Sequence, residues 1–297
     1  KRTHSQHSRF LGKETLYQKM RALIIYLVIS AVFIGCTPIL SIDASTQNVY
    51  HFSDTDKNIS LLDISETFGT YDGSFVLYDN NLDSWKIYDL EEATKRIPPE
   101  STYKIYDALL GLESGIITPE HSSMTWNGDA FPFPSWEADQ DLNSAMQNSV
   151  NWYFQAIDSQ LGINRVQEFL NKIEYGNQTT SSNLDLYWSD FSLKISPLEQ
   201  VTLLKKFNTN EFHLNSQNVF SVKNAIKIAS TPNGNFYGKT GTGRVNGQDI
   251  NGWFIGYVET SDNSYYFATN IQSDSNATGK KAFEITSDIL KKLHIWN

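Results

Sequence analysis

Two residues that could carry out acyl transfer, Ser101 and Lys104, lie three positions apart in RIPPESTYKIYDALLGL, residues 96–112. Two prolines precede the serine, and an apolar run with helical spacing follows the lysine. We expect the pair on one face of a helix at its N-terminal end, where free N–H groups favour a developing oxyanion. Serine becomes a nucleophile when a base takes its proton, and lysine can be that base only where burial suppresses its charge. A helix cap followed by a solvated lysine is the alternative.

A second chemical motif, YGKTGTG, covers residues 237–243. Its lysine, Lys239, is followed by the hydroxyl residue Thr240 and then by Gly241 and Thr242. A cation, a hydroxyl and a glycine that lets a ligand approach the backbone together suit a bound carboxylate. A glycine-rich turn before a strand is the alternative. Ser-x-x-Lys followed by Lys-Thr-Gly is typical of serine proteins that react with penicillin, and the two motifs together are far more specific than either alone.

The segments around these motifs predict both strands and helices. GSFVLYD and SWKIYD, joined by residues 80–83, have the alternation of a β-hairpin, and strand patterns return in NFYGKTG, NGWFIGYVET and SYYFATNIQ. Helices are expected between them and at the end, at about 139–160, 163–174, 197–208, 216–229 and 279–293, the third opening with the capping box of Ser196 and Glu199. The predicted fold is α/β of the α+β kind, with a central antiparallel sheet from both chain ends, flanking helices and a helical subdomain.

Composition limits the classes of function. The chain has 297 residues and a formal net charge of −9, so it is long enough for one large domain or two small ones. The acidic balance argues against nucleic acid as a partner, since binding it requires a basic surface. Cys36 is the one cysteine, which excludes an intramolecular disulfide. His4 and His7 lack the further ligands of a metal site, and no metal is expected.

A long apolar segment begins at residue 22. Residues 22–36 carry no charge, and apolar character continues weakly to residue 42, which together is about the length of a membrane-spanning helix. Basic residues precede the segment and aspartates follow it, so the positive-inside rule predicts an extracellular domain. A secretory or lipoprotein signal ending at Cys36 and a buried core helix are the alternatives. The expected organisation is a basic cytoplasmic segment at 1–21, one transmembrane helix at 22–42, a linker at 43–70 and an extracellular domain at 71–297.

Several short segments, taken together, resemble a known family. They are STYKIY (101–106), NSVNW (148–152), YGN (175–177), YW…SLKIS (187–196), GKTGTG (238–243) and NGWFIGYV (251–258). In this order they resemble class D β-lactamases and, most of all, the BlaR1/MecR1-type β-lactam sensor-transducers of Gram-positive bacteria. The resemblance implies a serine β-lactamase/penicillin-binding-protein-like fold. It also implies a receptor that penicillins and cephalosporins acylate at a serine, that deacylates very slowly, and that induces antibiotic resistance.

The resemblance also implies roles for the reacting residues. Ser101 would be acylated by the antibiotic, Lys104 would act as its base, and Ser149 would relay protons. Lys104 is expected to be N-carboxylated by CO2, and no other cofactor is expected. Because His-Glu-x-x-His is absent from this chain, a cytoplasmic zinc-protease portion of the same receptor is expected upstream of it.

Further residues are expected to bind the antibiotic. Lys239 and Thr240 would hold its carboxylate beside Gly241, and the N–H groups of Ser101 and Thr242 would form the oxyanion hole. Trp188 would steady the modified lysine, with plain core packing as the alternative, and residues 175–177 would form a structural loop.

Two features favour a receptor over a turnover enzyme. Asn151 occupies a position that is apolar in many class D hydrolases, whereas the sensors have the same asparagine there. By this resemblance, Asn151 would hydrogen-bond Lys104 and favour loss of the carboxylate from that lysine. An ordinary polar helix residue is the alternative. Many class D hydrolases also carry an arginine near ATGKKAFEIT, where this chain has only Lys280 and Lys281. A self-acylating receptor is therefore expected, with a class D β-lactamase as the second interpretation and a cell-wall transpeptidase as the third.

Overall fold

The computed structural model describes residues 58–297. The predicted basic segment at 1–21, the transmembrane helix at 22–42 and the first part of the linker lie outside the described residues. Within the part that is described, no helix combines the length and the apolar character needed to cross a bilayer.

Seven strands form one sheet at the centre of the domain. They are β1 (Ile59–Leu61), β2 (Asp72–Asp79), β3 (Ser84–Tyr88), β4 (Lys227–Thr231), β5 (Gly234–Val245), β6 (Gln248–Thr260) and β7 (Ser264–Gln272). Their order across the sheet is β1-β3-β2-β7-β6-β5-β4. The N-terminal hairpin therefore pairs with the C-terminal strands through β2 and β7, which confirms a sheet built from both chain ends. Every pair is antiparallel except β1 with β3, so the sheet is mixed at that edge.

Helices cover both faces of the sheet. They are α1 (Ser65–Phe68), α2 (Leu90–Thr94), α3 (Lys104–Glu113), α4 (Leu142–Gln147), α5 (Asn151–Leu161), α6 (Ile163–Ile173), α7 (Pro197–Asn208), α8 (Ser216–Ala225) and α9 (Gly279–Lys292). The predicted capping box of α7 is confirmed, since Ser196 Oγ accepts from Glu199 N and the Glu199 carboxylate accepts from Ser196 N. Satisfying two free backbone donors in this way fixes where α7 begins.

Alternating side chains of β6 supply two separate cores. Phe254 and Val258 pack with α9 on one face, whereas Trp253, Ile255 and Tyr257 join the larger cluster under the helical region on the other. This alternation follows from the two-residue period of a strand. The sheet is thus buried on both sides, and the larger core is the one that surrounds Ser101 and Lys104.

Three sequence boundaries are wrong. The single helix expected at 139–160 is interrupted at residues 148–150, where Ser149 adopts a left-handed backbone with φ 55°. The helix expected at 216–229 ends at Ala225 because β4 follows and pairs with β5. The linker expected at 43–70 contains β1 and α1, and Phe68 is buried in the core, so the fold begins before residue 71.

Candidate active site

The turn that carries Ser101 is anchored to β6. Pro98 O accepts hydrogen bonds from Trp253 Nε1 at 2.8 Å and from Asn251 Nδ2 at 3.1 Å. Residues Glu100–Tyr103 then form one 3₁₀ turn that runs directly into α3. Ser101 makes no helix-capping hydrogen bond; its Oγ accepts from Lys104 Nζ at 2.7 Å. The structure therefore contradicts the helix-cap alternative and brings the hydroxyl and the amine together.

Lys104 is enclosed on all sides. Its side chain is 0% exposed, and Nζ also donates to Asn151 Oδ1 at 2.7 Å. The rings of Phe154 and Trp188 lie 5.6 and 5.5 Å from Nζ. Burial lowers the pKa of Lys104 to about 7, against the opposing effect of nearby carboxyl groups. At neutral pH a large fraction of this amine is unprotonated, which is the state required of a base.

A second hydroxyl and amine lie beside the first pair. The break between α4 and α5 presents Ser149, whose Oγ accepts from Lys239 Nζ at 2.9 Å. The same amine donates to the carbonyl oxygen of Thr240 at 3.0 Å. Lys239 is 5% exposed, and burial together with the charge of Lys104 holds its pKa well below the usual value. Ser149 is thus placed to exchange a proton with Lys239.

The edge of β5 closes the site opposite the serines. A Cβ added at Gly241 would lie 3.1 Å from Pro99 O and 3.3 Å from Ser101 N, so glycine is what permits the strand to pass this close. Thr242, the residue after Gly241, is held against the first residue of α9, because its Oγ1 accepts a hydrogen bond from Gly279 N at 2.9 Å. Ser101, Ser149, Asn151, Thr240, Gly241 and Thr242 all face one open cleft of about 350 Å³. The structure therefore gathers residues that are up to 141 positions apart in the chain.

Two expected residues lie behind the cleft. Trp188 is 2% exposed and packs on Tyr103 at 6.2 Å between ring centroids. Its ring forms part of the enclosure around the Lys104 amine. Lys239 does not line the cleft and is connected to it through the hydrogen bond that its amine donates to Ser149 Oγ. Residues 175–177 form the expected structural loop, where Asn177 Oδ1 accepts from Lys194 N and its Nδ2 donates to Ser192 O.

Sequence reasoning missed several residues around the site. Phe133, Trp136 and Arg244 line the cleft, and none of them belongs to a recognised motif. Asp107 and Asp158 are fully buried behind Lys104. For Asp107 a signal existed, because an acid in the run KIYDALLGL interrupts an otherwise apolar helix face. In the described residues, no group of three or more His, Cys, Asp or Glu side chains could hold a metal ion.

Glu100, next to the nucleophile, is buried and almost without partners. It is 6% exposed, its backbone φ is 52°, and Oε1 accepts from Asn251 Nδ2 at 3.3 Å. Burial raises its pKa to about 8, because that effect exceeds the opposing hydrogen bond from Asn251 and the charge of Lys104. The carboxyl group is therefore expected to be largely protonated at neutral pH.

This burial predicts a pH dependence of stability. Between about pH 4.5 and 8 the unfolded chain has released the Glu100 proton and the folded chain retains it, so this residue's contribution to stability falls as pH rises. Glu100→Gln should remove that decline. The free energy of unfolding of the variant, relative to wild type, should therefore be higher by a few kcal/mol at pH 9 than at pH 4.5. Urea unfolding across this range measures the difference, with the exposed Glu120→Gln as control. Parallel curves for wild type and Glu100→Gln would show that Glu100 is ionised in the folded state.

Comparison with known proteins identifies the family. The family model for the penicillin binding protein transpeptidase domain matches residues 65–291. The chain belongs to this transpeptidase-domain family. The match covers α1 to α9 and therefore every residue of the site described above.

Individual similar proteins agree with the resemblance seen in the sequence. Regulatory protein BlaR1 of Bacillus licheniformis is 44% identical over 289 residues, 97% of this chain and 47% of that protein. The C-terminal domain of the Bacillus licheniformis BlaR penicillin-receptor superposes with a TM-score of 0.79 and 46% identity, over 81% of this chain and 98% of that one. Class D β-lactamase BAT-2 superposes with a TM-score of 0.75 and 36% sequence identity, over 80% of this chain and 97% of that one. The chain spans about half the length of the BlaR1 and MecR1 relatives it matches.

Proposed function

We propose that this chain carries the β-lactam-sensing domain of a BlaR1/MecR1-type receptor, in which the antibiotic acylates Ser101 and the ester is released very slowly. One observation carries the proposal. A buried lysine amine, Lys104 Nζ, bonds at 2.7 Å both to the serine oxygen and to the Asn151 amide oxygen. The first contact serves acylation, and the second stabilises the protonated lysine that acylation leaves behind.

Acylation follows from the positions of these groups. Ser101 Oγ attacks the β-lactam carbonyl carbon while Lys104 takes the hydroxyl proton, and the negative charge on the carbonyl oxygen faces the N–H groups of Ser101 and Thr242. The lactam C–N bond then breaks. Ser149 delivers its hydroxyl proton to the leaving nitrogen and takes a replacement proton from Lys239, which donates to Ser149 Oγ. Lys239 and Thr240 orient the antibiotic through its carboxylate.

Lys104 also fits N-carboxylation. CO2 adds to neutral amines, and burial leaves a large fraction of this amine neutral at pH 7. When bound, the carboxyl group would supply a stronger general base next to Ser101. The chain's own contribution is the enclosure, since the rings of Phe154 and Trp188 shield the amine from bulk water.

Sensing requires that the ester persist. A hydrolase that turns over tens of times per second and a receptor that stays acylated for about a cell generation differ by roughly five decades, or about 7 kcal/mol in the deacylation barrier. Hydrolysis of the ester needs an unprotonated base to activate water. Asn151 opposes that state, because an amide oxygen accepts better from an ammonium group than from a neutral amine.

A burst experiment tests the proposed function. Residues 43–297 are mixed with a chromogenic cephalosporin in bicarbonate buffer, and intact-protein mass spectrometry follows the adduct. We expect one stoichiometric burst, then hours without turnover, with a persistent adduct that is absent from Ser101→Ala. Absence of any adduct would overturn the proposal.

The second candidate function is a class D β-lactamase. It is supported by the similarity to class D β-lactamase BAT-2 and by the hydroxyl and amine pairs that the cleft would also offer to a hydrolase. The same experiment separates the two functions, because sustained release of chromophore after the burst would favour the enzyme.

We also propose that residues 22–42 anchor the domain in the cell membrane and that the domain faces outward, with a cytoplasmic zinc-protease portion in the same receptor. The hydropathy and flanking charges of the segment support this orientation, and the matched sensors extend well beyond the region they share with this chain. Protease added to intact cells should digest the region 43–297. Protection of that region, with digestion only after lysis, would contradict the orientation.

A further inference from the structure

The side chain of Glu100 lies along one face of β5. A Cβ added at Gly241 would lie 3.1 Å from Glu100 Cβ, and one added at Gly243 would lie 2.9 Å from Glu100 Cδ and overlap the carboxyl group. Successive residues of a strand face opposite sides, so the two glycines share a face and Thr242 points away from it, toward Gly279. The side chain of Glu100 thus begins beside one glycine and ends beside the next.

Both ends of this side chain are held in place. At the backbone, Glu100 has a φ of 52°, which is uncommon for a residue other than glycine, and its N–H donates to Trp188 O at 3.0 Å. At the other end, Asn251 Nδ2 donates to the carboxyl group at 3.3 Å, and Asn270 Nδ2 in turn donates to Asn251 Oδ1 at 2.8 Å. Asn251 is the β6 partner of Gly243, so the carboxyl group ends against that strand pair.

This packing lies between two backbone N–H groups of the site. Ser101 directly follows Glu100, and Thr242 lies between the two glycines. At Gly241 the turn and the strand are in direct contact, since an added Cβ would lie 3.3 Å from Ser101 N. At Gly243 the carboxyl group of Glu100 fills the space beside the strand instead. A shorter side chain at position 100 would leave this part of β5 free to shift relative to the turn.

We propose that Glu100 is a positioning residue whose side chain, packed against the two glycines of β5, sets the distance between the N–H groups of Ser101 and Thr242. This inference rests on the proposed function, in which those two groups stabilise the oxyanion during acylation. Such donors act only where they meet the developing charge at hydrogen-bond distance. The role requires the length of the side chain and not its charge, because burial raises the pKa of Glu100 to about 8 and keeps the group largely protonated at pH 7.

Two variants separate length from charge. Glu100→Gln keeps the length of the side chain, whereas Glu100→Asp keeps the carboxyl group, shortens the side chain by one methylene and is tolerated in a left-handed backbone. Stopped-flow acylation by a chromogenic cephalosporin at pH 7 gives both the dissociation constant of the initial complex and the acylation rate constant. Glu100→Asp should lower the rate constant about tenfold and leave the dissociation constant within about threefold of wild type. Glu100→Gln, and Glu120→Asp at an exposed position, should leave both within about threefold.

Gly243→Ala tests the same contact from the strand. Its Cβ would displace the Glu100 carboxyl group, so acylation should slow, and adding Glu100→Asp should restore part of the rate because the shorter side chain leaves room for the methyl group. A wild-type rate constant in Glu100→Asp, an equal loss in Glu100→Gln, or a double variant no faster than Gly243→Ala would overturn the inference. If Glu100→Asp fails to fold, a wild-type rate in Gly243→Ala would overturn it equally. A wild-type protein that is never acylated would instead contradict the proposed function, so the two failures are distinguishable.

Discussion

Replacing Lys104 by methionine is expected to slow acylation of Ser101 by on the order of 10³-fold, the typical contribution of a positioned base. Lys104 Nζ is the group that hydrogen-bonds Ser101 Oγ, and the methionine thioether cannot take the serine proton. The rate of covalent labelling by a fluorescent penicillin, measured on the folded protein, checks this. The side chain of methionine has nearly the length of lysine, so the chamber formed by Phe154 and Trp188 should stay filled.

Stability should respond to this substitution in the opposite sense. A buried amine costs desolvation free energy, and an apolar side chain of similar volume often stabilises such a site. Lys104→Met should therefore unfold at the same temperature as wild type or higher, whereas Lys172→Met, on the exposed face of α6, should change neither labelling nor stability. If Lys104→Met labels within tenfold of the wild-type rate, Lys104 is not the base and another group activates Ser101.

The parts of the fold that the sequence predicted well are those with local causes. The capping box of Ser196 and Glu199 fixes the start of α7 through bonds within four residues. The alternation in NGWFIGYV predicts β6 because each face of that strand meets a separate core. The two motifs supply three of the groups that the structure brings together, since the first places Ser101 with Lys104, and β5 carries Lys239 of the second to Ser149.

The errors arose where distant contacts decide the structure. The sequence of residues 139–160 gives no sign of a break at Ser149, where a left-handed backbone presents the hydroxyl to Lys239, 90 positions away. β4 forms because β5 offers it an edge, although KIAST is also compatible with the end of a helix. Asp107 and Asp158 are 51 positions apart, so neither sequence segment alone reveals that both are buried in the same core as Lys104.

Replacing Asn151 by valine is expected to convert the persistent adduct into one that turns over, with deacylation faster by about 10- to 100-fold. Asn151 Oδ1 accepts from Lys104 Nζ at 2.7 Å, and a hydrogen bond to a charged group contributes about 1.5–3 kcal/mol. Without that acceptor the ammonium form of Lys104 is less favoured, so the neutral amine that can activate water becomes more populated. Asn151 is the first residue of α5, where a β-branched side chain is tolerated because no preceding helical turn restricts it.

Mass spectrometry of the adduct over time, with steady-state hydrolysis of the same cephalosporin, measures this change. Asn151→Asp is the matched control, because it keeps the shape of asparagine and adds a negative charge beside Lys104, and it should lengthen the life of the adduct. The two variants therefore change deacylation in opposite directions from one position. Equal lifetimes for wild type and Asn151→Val would mean that the hydrogen bond from Lys104 to Asn151 does not set the slow step.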